Sequence, residues 1–124
     1  MTWLLWLLAA VPAIVLHEVA HARVADWLGD PTARRMGRCS LNPLAHFTRW
    51  YVKPVHVHYA MLGRKGALVA LAGPACNLLQ AGVWSLVPGE FALASMWVNL
   101  AMVVMNLLTS DGPMAWRCAR GAYA

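Results

Sequence analysis

The sequence predicts an all-α membrane protein in which residues 1–124 form a single embedded domain, with three transmembrane helices and a small β-containing cytoplasmic loop. Three observations predict it. Of the 124 residues, 60% are hydrophobic and only 12% charged, outside the range of ordinary soluble domains. The apolar residues fall in three long blocks, at about 2–28, 66–87 and 91–109. Each is near the ~20 residues that a helix needs to cross a ~30 Å hydrocarbon layer. The polar residues are gathered between the first and second blocks.

The first block runs from Thr2 through Pro12 to Leu28, and Gly29-Asp30-Pro31 ends it, a glycine followed by a helix-incompatible proline. A cleaved signal peptide is the competing reading, because Trp3 to Leu16 has the length of an h-region and Ala9, Ala10 and Ala13 mimic a cleavage site. No basic region precedes that stretch, so the block is expected to be retained as a span. Within the polar segment from Ala33 to Arg64, Arg38 to Leu41 and Val52 to Tyr59 alternate in character and are expected to form strands at the membrane surface, although Pro43 and Pro54 interrupt them. The second block contains Ala72-Gly73-Pro74-Ala75-Cys76-Asn77. Its Gly-Pro pair and amide should face the bundle interior, since lipid cannot satisfy freed backbone groups. The third block closes with Asn106-Leu107-Leu108-Thr109-Ser110-Asp111-Gly112-Pro113, in which Asp-Gly-Pro is expected to end the helix.

Charge orients these spans. The net charge of +5 is concentrated in Arg34, Arg35, Arg38, Arg49, Lys53, Arg64 and Lys65, so the loop that carries them is expected to be cytoplasmic. Pro88-Gly89-Glu90 carries no base, while Arg117 and Arg120 put the C-terminus on the same side as the basic loop. Topology accounts for the basic balance, and no nucleic-acid partner is needed to explain it. Cys39, Cys76 and Cys118 lack the spacing of a zinc knuckle and are expected to be free thiols.

Inside the first span lies His17-Glu18-Val19-Ala20-His21. Histidines four apart on a helix share one face, and a glutamate beside the first can act on a metal that they hold. Ionisable groups at the centre of a span cost ~2.5–3.5 kcal/mol when charged and persist mainly where they function. Counted from Trp3, His17 lies about 21 Å and His21 about 27 Å along the helix, near its cytoplasmic end. A catalytic zinc usually has three protein ligands and an open position for water. Apart from Glu18 and Asp26 on the first helix itself, Asp111 is the carboxylate at that depth and the candidate third ligand. The alternative for Asp111 is an Asp-Gly turn that needs no metal. Glu18 would then serve as the base that takes a proton from water as it attacks a peptide carbonyl. His46, His56 and His58 are expected to be solvated, and Trp3, Trp6, Trp27, Trp50 and Trp116 to mark membrane interfaces.

HEVAH in a first span is followed by Gly37-Arg38, Leu41-Asn42-Pro43-Leu44-Ala45-His46, Lys53-Pro54-Val55, Ala72-Gly73-Pro74-Ala75-Cys76-Asn77-Leu78-Leu79 and Asn106-Leu107-Leu108 ahead of Asp111-Gly112. In this order, over nearly the whole chain, the motifs resemble the site-2 protease family of intramembrane zinc metalloproteases. The resemblance implies a three-helix catalytic core that binds Zn2+ and cleaves membrane-embedded or membrane-proximal segments of other membrane proteins. It implies that His17, His21 and Asp111 are metal ligands, that Glu18 is catalytic, and that Asn77 holds the substrate strand or helps to stabilise the oxyanion. A hydrogen bond from Asn77 to a neighbouring helix is the alternative. The chain departs from the family just before Asp111, where Thr109-Ser110 replaces a proline-rich turn. A different class of function is also compatible with the motifs: a degenerate family member that binds a partner membrane protein without cleaving it.

Overall fold

The computed structural model describes residues 2–47, 52 and 56–122. The long helices are α1 (Trp3–Trp27), α4 (Gly66–Ser85) and α5 (Glu90–Thr109); α2 (Thr32–Arg35), α3 (Tyr59–Leu62) and α6 (Asp111–Ala119) are shorter. Three stretches, Trp3–Trp27, Tyr59–Ser85 and Glu90–Thr109, are long and apolar enough to cross a membrane. α4 packs against α1, α5 and α6, and α1 also meets α5, so α4 is the centre of the bundle.

The packing is the reverse of that in a water-soluble protein. Most of the buried apolar residues in the long helices are small, among them Ala9, Ala13, Ala22 and Ala25 of α1, Ala70 and Ala81 of α4, and Ala92 and Ala94 of α5. Leu7, Leu8, Leu78, Leu79, Leu93 and Leu108 point outward. In water each exposed leucine forgoes ~1.5–3 kcal/mol of burial. In lipid that driving force is absent, and small residues at the contacts let helix backbones approach closely. Trp3 and Trp27 are exposed at opposite ends of α1, the positions at which tryptophans meet the two interfaces. The turn between α4 and α5 passes through Gly89 at φ 113°, a conformation that suits glycine. Edge-on packing of Trp84 against Phe91, with ring centroids 5.6 Å apart, closes this hairpin.

The polar loop differs from expectation. Among the described residues neither expected strand forms: Arg38 to Leu41 is turn and irregular chain, and Tyr59 already belongs to α3. What remains of β structure is one antiparallel bridge between Phe47 and Val52, while residues 53–55, within the second expected strand, lie outside the described residues. Local bonding explains part of the difference. Asn42 Oδ1 accepts from the Leu44 amide at 3.0 Å and caps a 3-10 turn over Pro43–Ala45, which takes the chain out of the extended conformation. His46 is fully buried rather than solvated, with Nε2 donating to the Ser40 carbonyl at 2.7 Å. His56 and His58 are exposed as expected, and Trp50 lies outside the described residues. All three cysteines are free.

Asp30 ties both ends of this loop to the foot of α1. It has no solvent-exposed surface, accepts from the Thr32 amide and hydroxyl at 3.1 and 2.6 Å, and accepts from the His58 amide at 2.7 Å. Burial alone would raise the Asp30 carboxyl, but the His58 and Thr32 donors outweigh it and hold the group below the usual carboxylate range. A depressed folded-state pKa means that the stabilisation is fully present above the ordinary value of 3.8 and is lost as pH falls below it. Asp30→Ala should therefore destabilise the protein by about 1–3 kcal/mol at neutral pH. In thermal unfolding followed in detergent, the gap between the two proteins should shrink as pH drops below about 4.

Asp111-Gly112-Pro113 does not simply end the third span; it opens α6. Proline is tolerated in the first turn of a helix, where its missing N–H would have no acceptor. Ser110 alone, at φ −129° and ψ −65°, joins α5 to α6. Gly112 lies so close to the Leu107 carbonyl that any side chain there would collide with it. At the other end of α6, Cys118 packs on Gly66, where an added Cβ would lie 2.8 Å from its sulfur. Two glycines thus dock α6 against the ends of α5 and α4, and Asp111 is the residue on which the chain turns.

Candidate metal centre

His17 and His21 stand one turn apart on α1, and both are buried. Their Nδ1 atoms are engaged by α4: His17 Nδ1 donates to Asn77 Oδ1 at 2.5 Å, and His21 Nδ1 donates to the Val69 carbonyl at 2.7 Å. A carbonyl oxygen can only accept, so these bonds place a proton on each Nδ1, and in the neutral imidazole Nε2 then carries the lone pair. The two Nε2 atoms are 3.0 Å apart. Asp111 Oδ2 lies 3.2 Å from His17 Nε2 and 3.4 Å from His21 Nε2.

Three acceptors therefore face one another in a buried space. Asp111 Oδ2 is itself buried and, apart from the two imidazoles, meets no hydrogen-bond donor among the described residues. A proton on one imidazole or a bound cation satisfies such a group of lone pairs, and the donor set fits a cation. Tetrahedral zinc at ~2.0–2.1 Å from nitrogen and oxygen ligands would hold neighbouring ligand atoms about 3.3 Å apart, near the separations seen here. Two imidazoles and a carboxylate also suit zinc chemically. Gly73 of α4 completes the cradle. A Cβ at this position would lie 2.7 Å from His17 Nε2 and closer still to His21 Nε2, so the absence of a side chain keeps the space open.

Glu18, about 100° around the helix from His17, is not one of the three converging residues. With Ile14, His17, Val52, Met102 and Asn106 it lines an open cleft of about 290 Å³. The cleft brings α1, α5 and Val52 of the loop together beside one ligand. Asn77 is fully buried behind His17, where its Nδ2 donates to the Ala13 carbonyl at 3.2 Å and to Asn99 Oδ1 at 2.7 Å. Both of its polar atoms are engaged by protein groups, and the bond to α5 joins two helices.

The structure thus brings together His17, His21 and Asp111, the expected ligands. It places Glu18 at a cleft beside them and Asn77 on the far side of His17. Three further participants emerge from the structure. Gly73 belongs to the Gly-Pro pair expected to face the bundle interior, but its closeness to the histidines is not legible in sequence, and the Val69 carbonyl has no sequence signature at all. Asn99 did carry a signal, since an amide in mid-span of an apolar block needs a partner.

Fold and site together define a class: a helical chain apolar enough to cross a membrane three times, with a two-histidine, one-carboxylate metal constellation where α1, α4 and the start of α6 meet. The chain is 30% identical over 130 aligned positions to a Bacillus subtilis (strain 168) protein named "Putative zinc metalloprotease YwhC". The match covers 79% of this chain and 59% of that relative, so the chain spans little more than half of the relative's length. No family model matches the chain. No solved structure matches it significantly.

Proposed function

We propose that the protein is a zinc-dependent intramembrane endopeptidase that hydrolyses peptide bonds in or near transmembrane segments of other membrane proteins. The observation that carries this reading is the meeting of three potential ligand atoms, His17 Nε2, His21 Nε2 and Asp111 Oδ2, beside a cleft lined by Glu18. Similarity to a protein named as a zinc metalloprotease supports it from sequence. The basic loop and the C-terminus are on the cytoplasmic side in this reading, which puts the site near the cytoplasmic end of the bundle, within reach of water.

Bound zinc supplies Lewis acidity here, making water a stronger acid and polarising a carbonyl oxygen. The chain's own residues supply the remainder. His17, His21 and Asp111 would hold the ion, while Asn77 and the Val69 carbonyl keep both imidazoles in the required tautomer. The Glu18 carboxylate accepts the proton of the water that attacks the peptide carbonyl and returns it to the leaving amine. A role for Asn77 in holding substrate would require it to exchange a protein partner for the substrate.

Zinc content of the detergent-purified protein, measured together with cleavage of a reporter bearing a transmembrane segment, tests the reading. One zinc per chain and cleavage that depends on Glu18 are expected. Full zinc occupancy with no Glu18-dependent cleavage of any membrane substrate would favour the partner-binding alternative.

A further inference from the structure

Behind the ligands runs a line of hydrogen bonds whose direction is fixed from one end to the other. It begins on α5 at the Ser95 carbonyl, which accepts from Asn99 Nδ2 at 2.8 Å. That carbonyl cannot donate, so Asn99 must turn its Nδ2 toward Ser95 and its Oδ1 toward α4. Asn99 Oδ1 then accepts from Asn77 Nδ2 at 2.7 Å, which leaves Asn77 Oδ1 facing His17 Nδ1. The Ala13 carbonyl, at 3.2 Å from the same Asn77 Nδ2, imposes the same orientation. Asn77 and Ser95 have no exposed surface and Asn99 is only 1% exposed, so these bonds are shielded from bulk solvent.

We infer that Asn99 is a positioning residue for the metal centre, acting through Asn77 to keep the His17 proton on Nδ1 and the Nε2 lone pair free for the ion. Asn99 contacts neither the ligands nor the cleft described above. It acts by polarity: with Asn99 Oδ1 and the Ala13 carbonyl both presented to Asn77, a flipped Asn77 would set its oxygen against two oxygens and its amino group against the His17 Nδ1–H. In a buried setting each such mismatch costs on the order of 1–3 kcal/mol. The relay also joins α5 to the α1–α4 pair that holds the histidines. An apolar residue at position 99 would leave the orientation of Asn77 to the Ala13 carbonyl at 3.2 Å and the weak acceptor Met102 Sδ at 3.8 Å.

This inference rests on the zinc reading, but its first readout needs no metal. In the zinc-free protein labelled with 15N-histidine, long-range 15N–1H correlation spectra distinguish the Nδ1–H from the Nε2–H tautomer. His17 should appear as Nδ1–H in the unmodified protein and in Asn99→Asp, where burial keeps the carboxyl protonated so that it donates to Ser95 and accepts from Asn77. In Asn99→Leu, which keeps the volume and removes both bonds, a second tautomer should appear, and zinc affinity measured by chelator competition should fall about tenfold. If Asn99→Leu does not fold, Asn99→Thr carries the same expectation, because its hydroxyl bonds back to Ser95 and its methyl meets Asn77. A single Nδ1–H tautomer and unchanged zinc affinity in the folded variant would overturn the relay. Failure of the unmodified protein to bind zinc would instead overturn the proposed function, so the two failures are distinguishable.

Discussion

Gly73→Ala should abolish zinc binding while leaving the helices folded. The substitution adds one methyl group in the interior of α4, where exchanging glycine for alanine ordinarily favours the helix by ~1 kcal/mol. Here the methyl would enter the space between the ligands, 2.7 Å from His17 Nε2 and nearer to His21 Nε2. The imidazoles cannot retreat without breaking their Nδ1 bonds to Asn77 and Val69. The loss of affinity should therefore exceed the ~10–100-fold typical of changes made behind a ligand. Chelator competition measures it, and circular dichroism of the zinc-free variant checks that the helices persist. Zinc binding at unmodified affinity would mean that the ion sits elsewhere.

Glu18→Gln should separate binding from catalysis. Glu18 lies in the cleft and not among the three converging ligand atoms, so its amide replacement should leave zinc affinity unchanged. An amide cannot accept and return the proton, and general acid–base contributions are worth roughly 10²–10⁴ in rate. Turnover of a membrane reporter should fall by about that factor with zinc content preserved. Parallel loss of zinc and activity would place Glu18 among the ligands instead.

The parts of this site that were legible in the sequence are those set by local periodicity and depth. His17 and His21 are four residues apart, which fixes their shared face on any helix, and counting along the first span puts them near the depth at which the third ends. Asp111 followed by elimination. The path that delivers it did not, because Asp-Gly-Pro is equally compatible with the end of one helix and the first turn of the next. What decides is tertiary contact: Gly112 against Leu107, and Gly66 against Cys118. With those contacts, Ser110 alone suffices as the joint, and the shortened connection still turns Asp111 inward. Alternation over Val52 to Tyr59 suggested a strand, whereas the chain from His58 onward is pinned to Asp30 and coils into α3. Asn77 stood out as an amide in an apolar run, but only the packing of α4 between α1 and α5 reveals which neighbour it serves.

The central claim is that His17, His21 and Asp111 together hold one zinc ion. X-ray absorption at the zinc edge of the loaded, detergent-purified protein tests it most directly. The account predicts a four-coordinate shell of two imidazole nitrogens and two oxygens at ~2.0–2.2 Å, with one of the oxygens lost or replaced in Asp111→Ala. A shell containing sulfur, or a spectrum unchanged by Asp111→Ala, would contradict it.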